Sequence, residues 1–410
     1  MKQVLLIFLF IGCYFLSNAQ RVCGTEAYVL NNFVLQKNVP VEENTAPPRD
    51  TVPNEIITIP VIVHILYNGG NQNLSEAQVL SQIAALNRDY RLLNANKSAI
   101  PETFSGLAAD SRIMFCLAKV DPNGYETNGI ERKYTNKTYY MSDDDIKSSA
   151  KGGLNAWDSK RYLNIWVCSI FGRVLGYATP PGGDAKKDGV VINFDVFGTI
   201  GSLQSNFNQG RTATHEVGHW LGLKHIWGDD YCASDDIADT PRQKTSNIGC
   251  PTFPFTTDCS VDSNGDMFMN YMDLTNDGCM SMFTTGQKVV MRSLFAINGA
   301  RNSFLRSYQC DSSLATGGPL PKDTLVVNPA EDLITIYPNP VFDYVNIQAK
   351  LLLTLQGKTA VIMSSQGLPL VKKTLQSVNE RISIGHLPRG IYMISIGDGS
   401  SKKTFKLLKM

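Results

Sequence analysis

The pattern of apolar and polar residues after residue 54 predicts strands and a helix in alternation. The run IITIPVIVHILYN at 56–68 is dominated by β-branched residues over one strand length. At 74–93, apolar residues recur every three or four positions behind Ser75, a candidate N-cap, which predicts a helix. Further strand-like runs are RIMFCLAKV, YLNIWVCSI and GVVINF. This order predicts an α/β (α+β) domain with a mixed sheet.

The pattern changes after residue 310. Residues 311–332 are rich in Gly, Pro, Ser and Asp, which predicts a linker. Beyond them, ITIYPNPVFDYVNIQ, TAVIMSSQG, RISIGHL and GIYMISIGDG are short strand-like runs separated by turn residues. Residues 333–410 are therefore predicted to form a small all-β sandwich.

The first residues have the pattern of a secretory signal peptide. MKQVLLIFLFIGCYFLSNA at 1–19 has one lysine, an apolar run and small residues before the expected cleavage site. Residues 20–54 show little periodicity and end in a polar, proline-rich connector. Because no later stretch is long and apolar enough to span a bilayer, we expect an exported protein with no stable membrane span.

Composition excludes little but guides the interpretation of the cysteines. The chain has 410 residues, a net charge of +1 and 43% hydrophobic residues, enough for two ordinary domains. A near-neutral charge gives no argument for nucleic acid as a partner. In an oxidising compartment, the four cysteines between 232 and 279 suggest a loop region held by disulfides. Cys116 and Cys168 are interpreted as core residues of strands, and Cys310 has no assigned partner.

Three of the five histidines lie in HEVGHWLGLKH at 215–225. Residues four positions apart project from the same face of a helix, so His215 and His219 can present two imidazoles to one point. Gly222 can end the helix in a left-handed turn at little cost and return His225 as a third donor. Three neutral imidazoles suit Zn²⁺ and leave a fourth tetrahedral position for water.

Glu216 lies beside that point without being one of the three donors. Zinc lowers the pKa of bound water, and Glu216 can accept its proton as general base and pass it to the departing amine. A structural zinc would not need Glu216, so this residue favours catalysis of peptide hydrolysis. The alternative is an amphipathic helix with chance histidines, but HExxHxxGxxH is far more specific than HExxH alone.

The extended motif resembles that of the metzincin metalloproteases. Their methionine turn has a counterpart in NYMD, with Met272 as the turn residue. GRTATHEVGHWLGLKHIWGD, DDIADTP, GCP and NYMDLTNDGCMSMFTTGQ narrow the similarity to the bacterial branch of the pappalysin family. The resemblance implies a zinc endopeptidase acting on protein or peptide substrates, with a metzincin catalytic domain placed at 55–310.

The same resemblance implies a specificity pocket. Asp277 falls where the family has an acidic residue at the base of the S1′ pocket, and a carboxylate there would pair with Arg or Lys of the substrate. We therefore predict cleavage on the N-terminal side of basic residues. The alternative for Asp277 is a solvated loop aspartate.

The resemblance also implies disulfides and a second metal. Four cysteines allow three connectivities, and sequence alone does not choose among them. The family implies Cys232–Cys259 and Cys250–Cys279. It also implies calcium, for which DDIADTP offers oxygen ligands from Asp236, Asp239 and Thr240.

One position departs from the family pattern. Two residues after the turn methionine the family usually has a tyrosine that can hydrogen-bond the developing oxyanion, and here that position is Leu274. Loss of one such donor costs about two to three orders of magnitude in rate. The departure is the one feature that favours the alternative function, an exported binding or adhesion protein on an inactive protease scaffold.

The segment RVCGTEAY follows the signal peptide. A cysteine followed by glycine in a pro-segment resembles the cysteine switch of metzincin zymogens. The resemblance implies that residues 20–54 are a pro-segment, in which the Cys23 thiolate would take the fourth zinc position. The alternatives are an ordinary disulfide or a free thiol. Release of the pro-segment is predicted near Arg49, in the exposed connector.

The last segment resembles the C-terminal sorting domain of the bacterial type IX secretion system. The matching residues are YPNP at 337–340, LPRGIYMISI at 387–396 and KKTFKLLK at 402–409. The resemblance implies an Ig-like sandwich that engages the secretion machinery and delivers the protein to the cell surface or the medium. A carbohydrate-binding module is the structural alternative.

Overall fold

A computed structural model describes residues 20–33, 55–260, 264–307, 309–315, 334–337, 339–349, 357–364, 366–377, 379–397 and 402–410. The predicted signal peptide at 1–19, the predicted release site near Arg49 and most of the predicted linker lie outside the described residues. The chain divides into two compact units, Met1–Val326 and Val327–Met410.

Seven strands of the described part of the first unit form one mixed sheet. The strands are β1 Val22–Cys23, β2 Ile57–Tyr67, β3 Ile113–Leu117, β4 Ile130–Tyr134, β5 Leu163–Cys168, β6 Val174–Ala178 and β7 Val190–Asn193. Their order is β1–β6–β7–β5–β2–β3, with β4 also paired to β2. Strand β2 runs parallel to β3, β4 and β5, whereas β6 runs antiparallel to β7. The predicted mixed sheet is confirmed.

The helices of this unit are α1 Thr25–Phe33, α2 Glu76–Tyr90, α3 Glu102–Ser105, α4 Arg211–Trp220 and α5 Thr285–Ser293. Helix α2 begins where Oγ of Ser75 accepts a hydrogen bond from the Gln78 backbone nitrogen at 3.1 Å. The apolar side chains of α2 are buried against the sheet and α4, and this packing holds α4 in place. They are Val79, Ile83, Leu86 and Tyr90. No helix among the described residues is long and apolar enough to cross a bilayer.

Strand β6 is absent from the sequence prediction. Its sequence, VLGYA, carries a glycine and is followed by two prolines within a few residues, so its apolar pattern is too short to stand out. It lies outside β7 in the sheet, and its other side pairs with the short β1 in parallel. The pro-segment therefore continues the sheet by one strand.

The second unit is all-β in its described residues. One sheet has the order β11–β10–β13–β14 and the other β12–β9–β8, and the pairs within each sheet are antiparallel. Their buried side chains, including Val345, Ile347, Ile362 and Ile394, form a separate core, as in an Ig-like sandwich. The strands are β8 Ile334–Tyr337, β9 Tyr344–Ala349, β10 Thr359–Ser364, β11 Pro369–Thr374, β12 Asn379–Ser383, β13 Gly390–Ile396 and β14 Lys403–Lys409.

Three disulfides are present in the described residues, and one corrects the sequence interpretation. Cys116 is not an unpaired core residue, because it is bonded to Cys310 across 194 positions of sequence. Cys168 is buried in β5 and is free. The other two bridges are those implied by the family resemblance, Cys232–Cys259 and Cys250–Cys279.

Candidate metal centre and active-site cleft

Helix α4 carries the first two histidines of the motif, and its end brings the third beside them. Residue Gly222 adopts φ +86°, a left-handed conformation that only glycine takes without strain. The backbone nitrogen of Leu223 then donates to the carbonyl of Gly218 at 3.0 Å and closes the helix. The chain turns back after this point, so His225 faces His215 and His219.

The three imidazoles converge through their Nε2 atoms. Nε2 of His219 lies 3.1 Å from Nε2 of His215 and 3.1 Å from Nε2 of His225. Tetrahedral zinc with Zn–N distances of about 2.0–2.1 Å places its ligand nitrogens roughly 3.3 Å apart. All three side chains are buried. The spacing therefore fits one zinc ion.

The opposite ring nitrogens are held by acceptors. Nδ1 of His215 lies 2.7 Å from the carbonyl of Tyr271, and Nδ1 of His219 lies 2.8 Å from the carbonyl of Leu223. Nδ1 of His225 pairs with the Asp229 carboxylate. These contacts fix Nδ1 as the protonated nitrogen and leave Nε2 as a lone-pair donor.

Burial favours the neutral imidazoles that a metal requires. Desolvation, with the neighbouring histidines, holds the pKa of His215 well below its usual value. Burial and His225 lower the pKa of His219 to about 3. Neutral imidazoles at neutral pH are the donor form for zinc. The donor set and its spacing fit this ion, and so does the lowered pKa of His215 and His219.

Met272 lies directly beneath helix α4. A Cβ atom at Gly218 would come within 2.5 Å of the Met272 sulfur, so the helix needs glycine at that position. Met272 is fully buried, and its carbonyl accepts a hydrogen bond from the Ile226 backbone nitrogen at 3.2 Å. Because residue 218 lies between His215 and His219, the turn at Met272 supports the part of α4 that carries these two histidines.

Cys23 lies at the metal centre, on strand β1. Its Sγ is 3.6 Å from Nε2 of His219, and one donor atom from each of Cys23, His215, His219 and His225 lies within 4.8 Å of the others. Burial, followed by the charge of Glu216, raises the pKa of the thiol well above its usual value. A thiolate here needs a cation beside it, and zinc bound by the three histidines would supply one.

Glu216 is buried on the side of α4 that faces strand β6. Its Cγ would be 2.8 Å from a Cβ atom at position 176, so Gly176 of β6 allows the strand to approach the carboxylate. Burial raises the pKa of Glu216 to about 7, against the opposing effect of hydrogen bonds from Thr25 and Cys23. Oγ1 of Thr25 donates to Oε2 of Glu216 at 2.8 Å.

Asp277 is fully buried, and both oxygens of its carboxylate have partners. Its Oδ2 accepts hydrogen bonds from the backbone nitrogens of Gln209 at 2.7 Å and Arg211 at 3.3 Å. Its Oδ1 forms a buried ion pair with the guanidinium of Arg21, two residues before Cys23. Nε of Arg21 also donates to the carbonyl of Thr275 at 3.2 Å, and its guanidinium stacks 5.1 Å from the Phe207 ring centre.

The residues predicted for calcium have separate partners. The carboxylate of Asp236 forms an exposed ion pair with Lys224. The carboxylate of Asp239 caps α5 by accepting from the Gly286 backbone nitrogen at 2.7 Å. Oγ1 of Thr240 donates to Asp235 at 2.6 Å. Asp235, which the sequence prediction did not name, is buried and its Oδ2 has no hydrogen-bond partner.

The pro-segment residues beside Cys23 were missed by sequence reasoning. Arg21, Thr25 and Tyr28 all lie in RVCGTEAY, and each side chain makes a polar contact with a residue after position 54. The signal for Arg21 was available, because a basic residue beside the switch cysteine matches the acidic pocket predicted around Asp277. Asp229, four residues after His225, was also missed.

Helix α1 covers one side of the cleft. A cavity of about 490 Å³ remains between this helix and the metal centre. It is bounded on one side by α1 and on the other by the histidine loop and the segment after β6, with the lining residues Thr25, Glu26, Val29, Leu30, Pro180, Pro181, His219, Gly222, Leu223, Lys224, His225, Gly228 and Asp229.

A metalloendopeptidase of the metzincin type is defined by three features of this structure: the mixed sheet, the helix α4 that carries His215 and His219, and the turn at Met272. Residues 122–296 match the family model described as Pregnancy-associated plasma protein-A, and residues 335–410 match the Secretion system C-terminal sorting domain. The chain belongs to the pappalysin family of secreted metalloproteases, and its C-terminal unit is a type IX sorting domain.

Relatives and solved structures agree with this assignment. An extracellular metalloprotease of Arthroderma gypseum is 29% identical over 68% of this chain and 84% of its own length. One of Arthroderma otae is 30% identical over 56% of this chain and 75% of its own.

Among solved structures, a Tannerella forsythia promirolysin variant is 46% identical, with a TM-score of 0.65 over 73% of this chain and all of its own. Mirolysin in complex with a small compound is 49% identical, with a TM-score of 0.61 over 64% of this chain and all of its own. The protein is therefore a secreted metalloprotease, which sets aside the alternative of an adhesion protein on an inactive scaffold.

Proposed function

We propose that this chain is the latent precursor of a secreted zinc endopeptidase that cuts peptide bonds on the N-terminal side of Arg or Lys. The observation that carries the proposal is the buried ion pair between Arg21 and Asp277, two residues from the cysteine at the metal centre. A solvated loop aspartate would not be fully buried with its carboxylate fixed by two backbone nitrogens.

The pocket around Asp277 has the chemistry of an arginine or lysine site. A buried carboxylate with no cation beside it is costly, so after the pro-segment leaves, the pocket favours a basic side chain of the substrate. The carbonyl of Thr275 and the Phe207 ring suit the donors and the flat face of a guanidinium. Arginine should therefore be preferred over lysine.

Latency follows from the direction in which the pro-segment crosses the cleft. From the Asp277 pocket to the metal centre, the pro-segment runs from Arg21 to Cys23, in the N-to-C direction. A substrate with a basic residue after the scissile bond would run the other way. The segment thus fills the basic pocket and covers the metal centre without presenting a bond in the productive direction, and Cys23 serves as the cysteine switch.

The chemistry assigns separate tasks to the residues of the cleft. When held by His215, His219 and His225, zinc supplies a Lewis acid that polarises a carbonyl and acidifies water. Glu216, with its pKa raised to about 7 by burial, is poised to accept a proton and return it to the leaving amine. The edge of β6 would bind substrate backbone, as the Gly176 carbonyl binds the Gly24 nitrogen at 2.8 Å.

A calcium ion at the DDIADTP segment is part of the same proposal, with Asp235 added to the predicted ligands. The buried Oδ2 of Asp235 lacks a partner, and burial raises the pKa of this carboxyl to about 6, which a bound cation would reverse. Calcium but not magnesium should raise the melting temperature of the protein. Asp235→Asn should remove this shift, whereas Asp230→Asn on the exposed side of the loop should retain it.

The test is mass spectrometry of peptides cut by the protein after removal of the pro-segment. We expect new N-termini at Arg and Lys, none in the presence of a zinc chelator, and none with Glu216→Gln, which should still hold one zinc per chain by elemental analysis. Metal-free protein, or a Glu216→Gln variant with intact proteolysis, would refute the mechanism. Cleavage without basic preference would refute the pocket assignment alone.

A further inference from the structure

Tyr28 of helix α1 enters a pocket on the face of the sheet opposite to the active-site helix. Side chains alternate along β6, so Gly176 faces Glu216 while Tyr177 points to the other side. Tyr28 is only 1% exposed, and its ring centre lies 5.0 Å from that of Tyr177. The pro-segment therefore crosses the edge of the sheet and inserts one aromatic side chain behind the cleft.

The end of this pocket is polar. The hydroxyl of Tyr28 donates to the Asp144 carboxylate, whose two oxygens are each 2.9 Å away. The same hydroxyl accepts from Nζ of Lys147 at 3.2 Å, and Nζ also donates to Oγ1 of Thr179 at 3.0 Å. Lys147 and Asp144 pair at 2.8 Å, and both are buried.

These groups select a phenol. Asp144, although paired with Lys147 and Lys187, still accepts a hydrogen bond here, and Lys147 still donates one, so a hydroxyl matches both groups at once. Nζ of Lys147 lies 4.6 Å from the Tyr28 ring centre and 5.1 Å from that of Tyr177, so a tyrosine ring in this pocket gains a cation–π contact. Serine or threonine would supply the hydroxyl without the ring, and phenylalanine the ring without the hydroxyl.

A second observation indicates that the pocket has capacity for a ligand. The hydroxyl of Tyr177 is buried and has no hydrogen-bond partner, although Tyr177 forms one wall. Residue Asp144 also adopts φ +66°, an uncommon conformation for a residue other than glycine, which holds its carboxylate at the end of the pocket. Apart from Tyr28, all the groups named belong to the part of the chain that remains after the pro-segment is removed.

We propose that this pocket is a tyrosine-binding exosite, filled by Tyr28 in the zymogen and by a tyrosine side chain of the substrate in the mature enzyme. The position of that tyrosine rests on the proposed function. Along the pro-segment, Arg21 contacts Asp277, Cys23 lies at the metal centre and Tyr28 contacts Asp144. By this order, the pocket is on the side where a substrate with its basic residue on Asp277 has its N-terminal part. The recognised tyrosine thus precedes the scissile bond.

The binding test uses a fluorescent peptide of residues 20–33 with Cys23→Ser, and the zinc-loaded mature protein with Glu216→Gln so that nothing is cut. Tyr28→Phe in the peptide should weaken binding about tenfold, because a hydrogen bond to a charged group is lost. Asp144→Asn in the protein should remove the difference between the two peptides. Asp145→Asn, which alters a neighbouring carboxylate that pairs with Lys137 and Lys151, should preserve it.

Equal binding of the Tyr28 peptide and its Tyr28→Phe variant by the Glu216→Gln protein, or absence of binding, would overturn the exosite. Both peptides are compared on the same protein, so this result does not depend on the folding of the Asp144→Asn variant. Arg21→Ala in the same peptide probes the Asp277 pocket separately, so failure of the exosite and failure of the basic specificity give different results. In cleavage assays, a substrate with an upstream tyrosine should have a lower KM than its phenylalanine analogue, with equal kcat; an unchanged KM also contradicts the proposal.

Discussion

Thr25 donates its hydroxyl hydrogen to the carboxylate of Glu216, 2.8 Å away. The hydroxyl oxygen of Thr25 also accepts a hydrogen bond from the backbone nitrogen of Ala178 at 2.9 Å. One pro-segment side chain thus engages both the proposed general base and the edge of β6, where substrate backbone would bind. Latency therefore depends on more than the thiol at the metal centre.

Thr25→Val should weaken latency, because valine has nearly the same shape but makes neither hydrogen bond. Loss of a bond to a charged group is worth about 1.5–3 kcal/mol, so we expect roughly a tenfold or greater rise in basal peptide hydrolysis by the full-length protein. Initial rates on a short Arg-containing peptide would measure it. Thr25→Ser is the matched control and should stay latent; equal rates for valine and serine would contradict this role.

Cys23→Ala should produce premature activity. The substitution removes the sulfur 3.6 Å from Nε2 of His219 and leaves the fourth position of the metal centre to water. Full-length protein should then hydrolyse peptides without prior removal of residues 20–54, and a chelator should abolish this activity. Unchanged latency in the alanine variant would show that the contacts of Arg21, Thr25 and Tyr28 suffice to hold the pro-segment across the cleft.

Asp277→Asn should reduce selection of basic residues. Asparagine can still accept hydrogen bonds from the Gln209 and Arg211 backbone nitrogens, but it lacks the charge that pairs with a guanidinium. Asp277→Lys should abolish cleavage before Arg altogether. The readout is the distribution of residues after the cut bond in a peptide library, and an unaltered distribution in both variants would dismiss the pocket.

The metal centre could be predicted from the sequence because the residues that form it lie close together along the chain. His215, His219 and His225 lie within eleven residues, and helix periodicity with one left-handed glycine determines their geometry. The mixed sheet and the second all-β unit followed from apolar patterns over whole strands. Met272 and Asp277 could be assigned only through the family resemblance, because their contacts to α4 and Arg21 join distant parts of the chain.

The features that the sequence did not predict depend on contacts between residues that are far apart in the chain. Such contacts produce no local sequence pattern. Arg21 and Asp277 are 256 positions apart, and Cys116 and Cys310 are 194 apart. Strand β1 has two residues and exists only because β6 offers it an edge. The polar pocket around Tyr28 combines residues from α1, the Asp144 loop and the segment after β6, each of which alone resembles an ordinary solvated loop.

Leu274→Tyr should accelerate the reaction. Leu274 lies two residues after the turn methionine, next to Thr275, whose carbonyl contacts Arg21 in the cleft. A tyrosine hydroxyl there could stabilise the developing oxyanion, and such donors are worth about two to three orders of magnitude in kcat. We expect a rise of kcat with little change of KM. Leu274→Phe is the matched control, and an equal effect of both substitutions would assign the gain to packing.

Removal of the Cys116–Cys310 bridge should destabilise the first unit without altering its chemistry. The bridge joins strand β3 to residues after α5 and closes a loop of 194 positions. In the chain-entropy treatment, such a loop contributes about 5 kcal/mol as an upper value. The double variant Cys116→Ala, Cys310→Ala should therefore unfold at a markedly lower temperature or denaturant concentration, while its kcat at low temperature remains that of the parent. A melting temperature equal to that of the parent would show that β3 is held by sheet pairing and the packing of α2 alone.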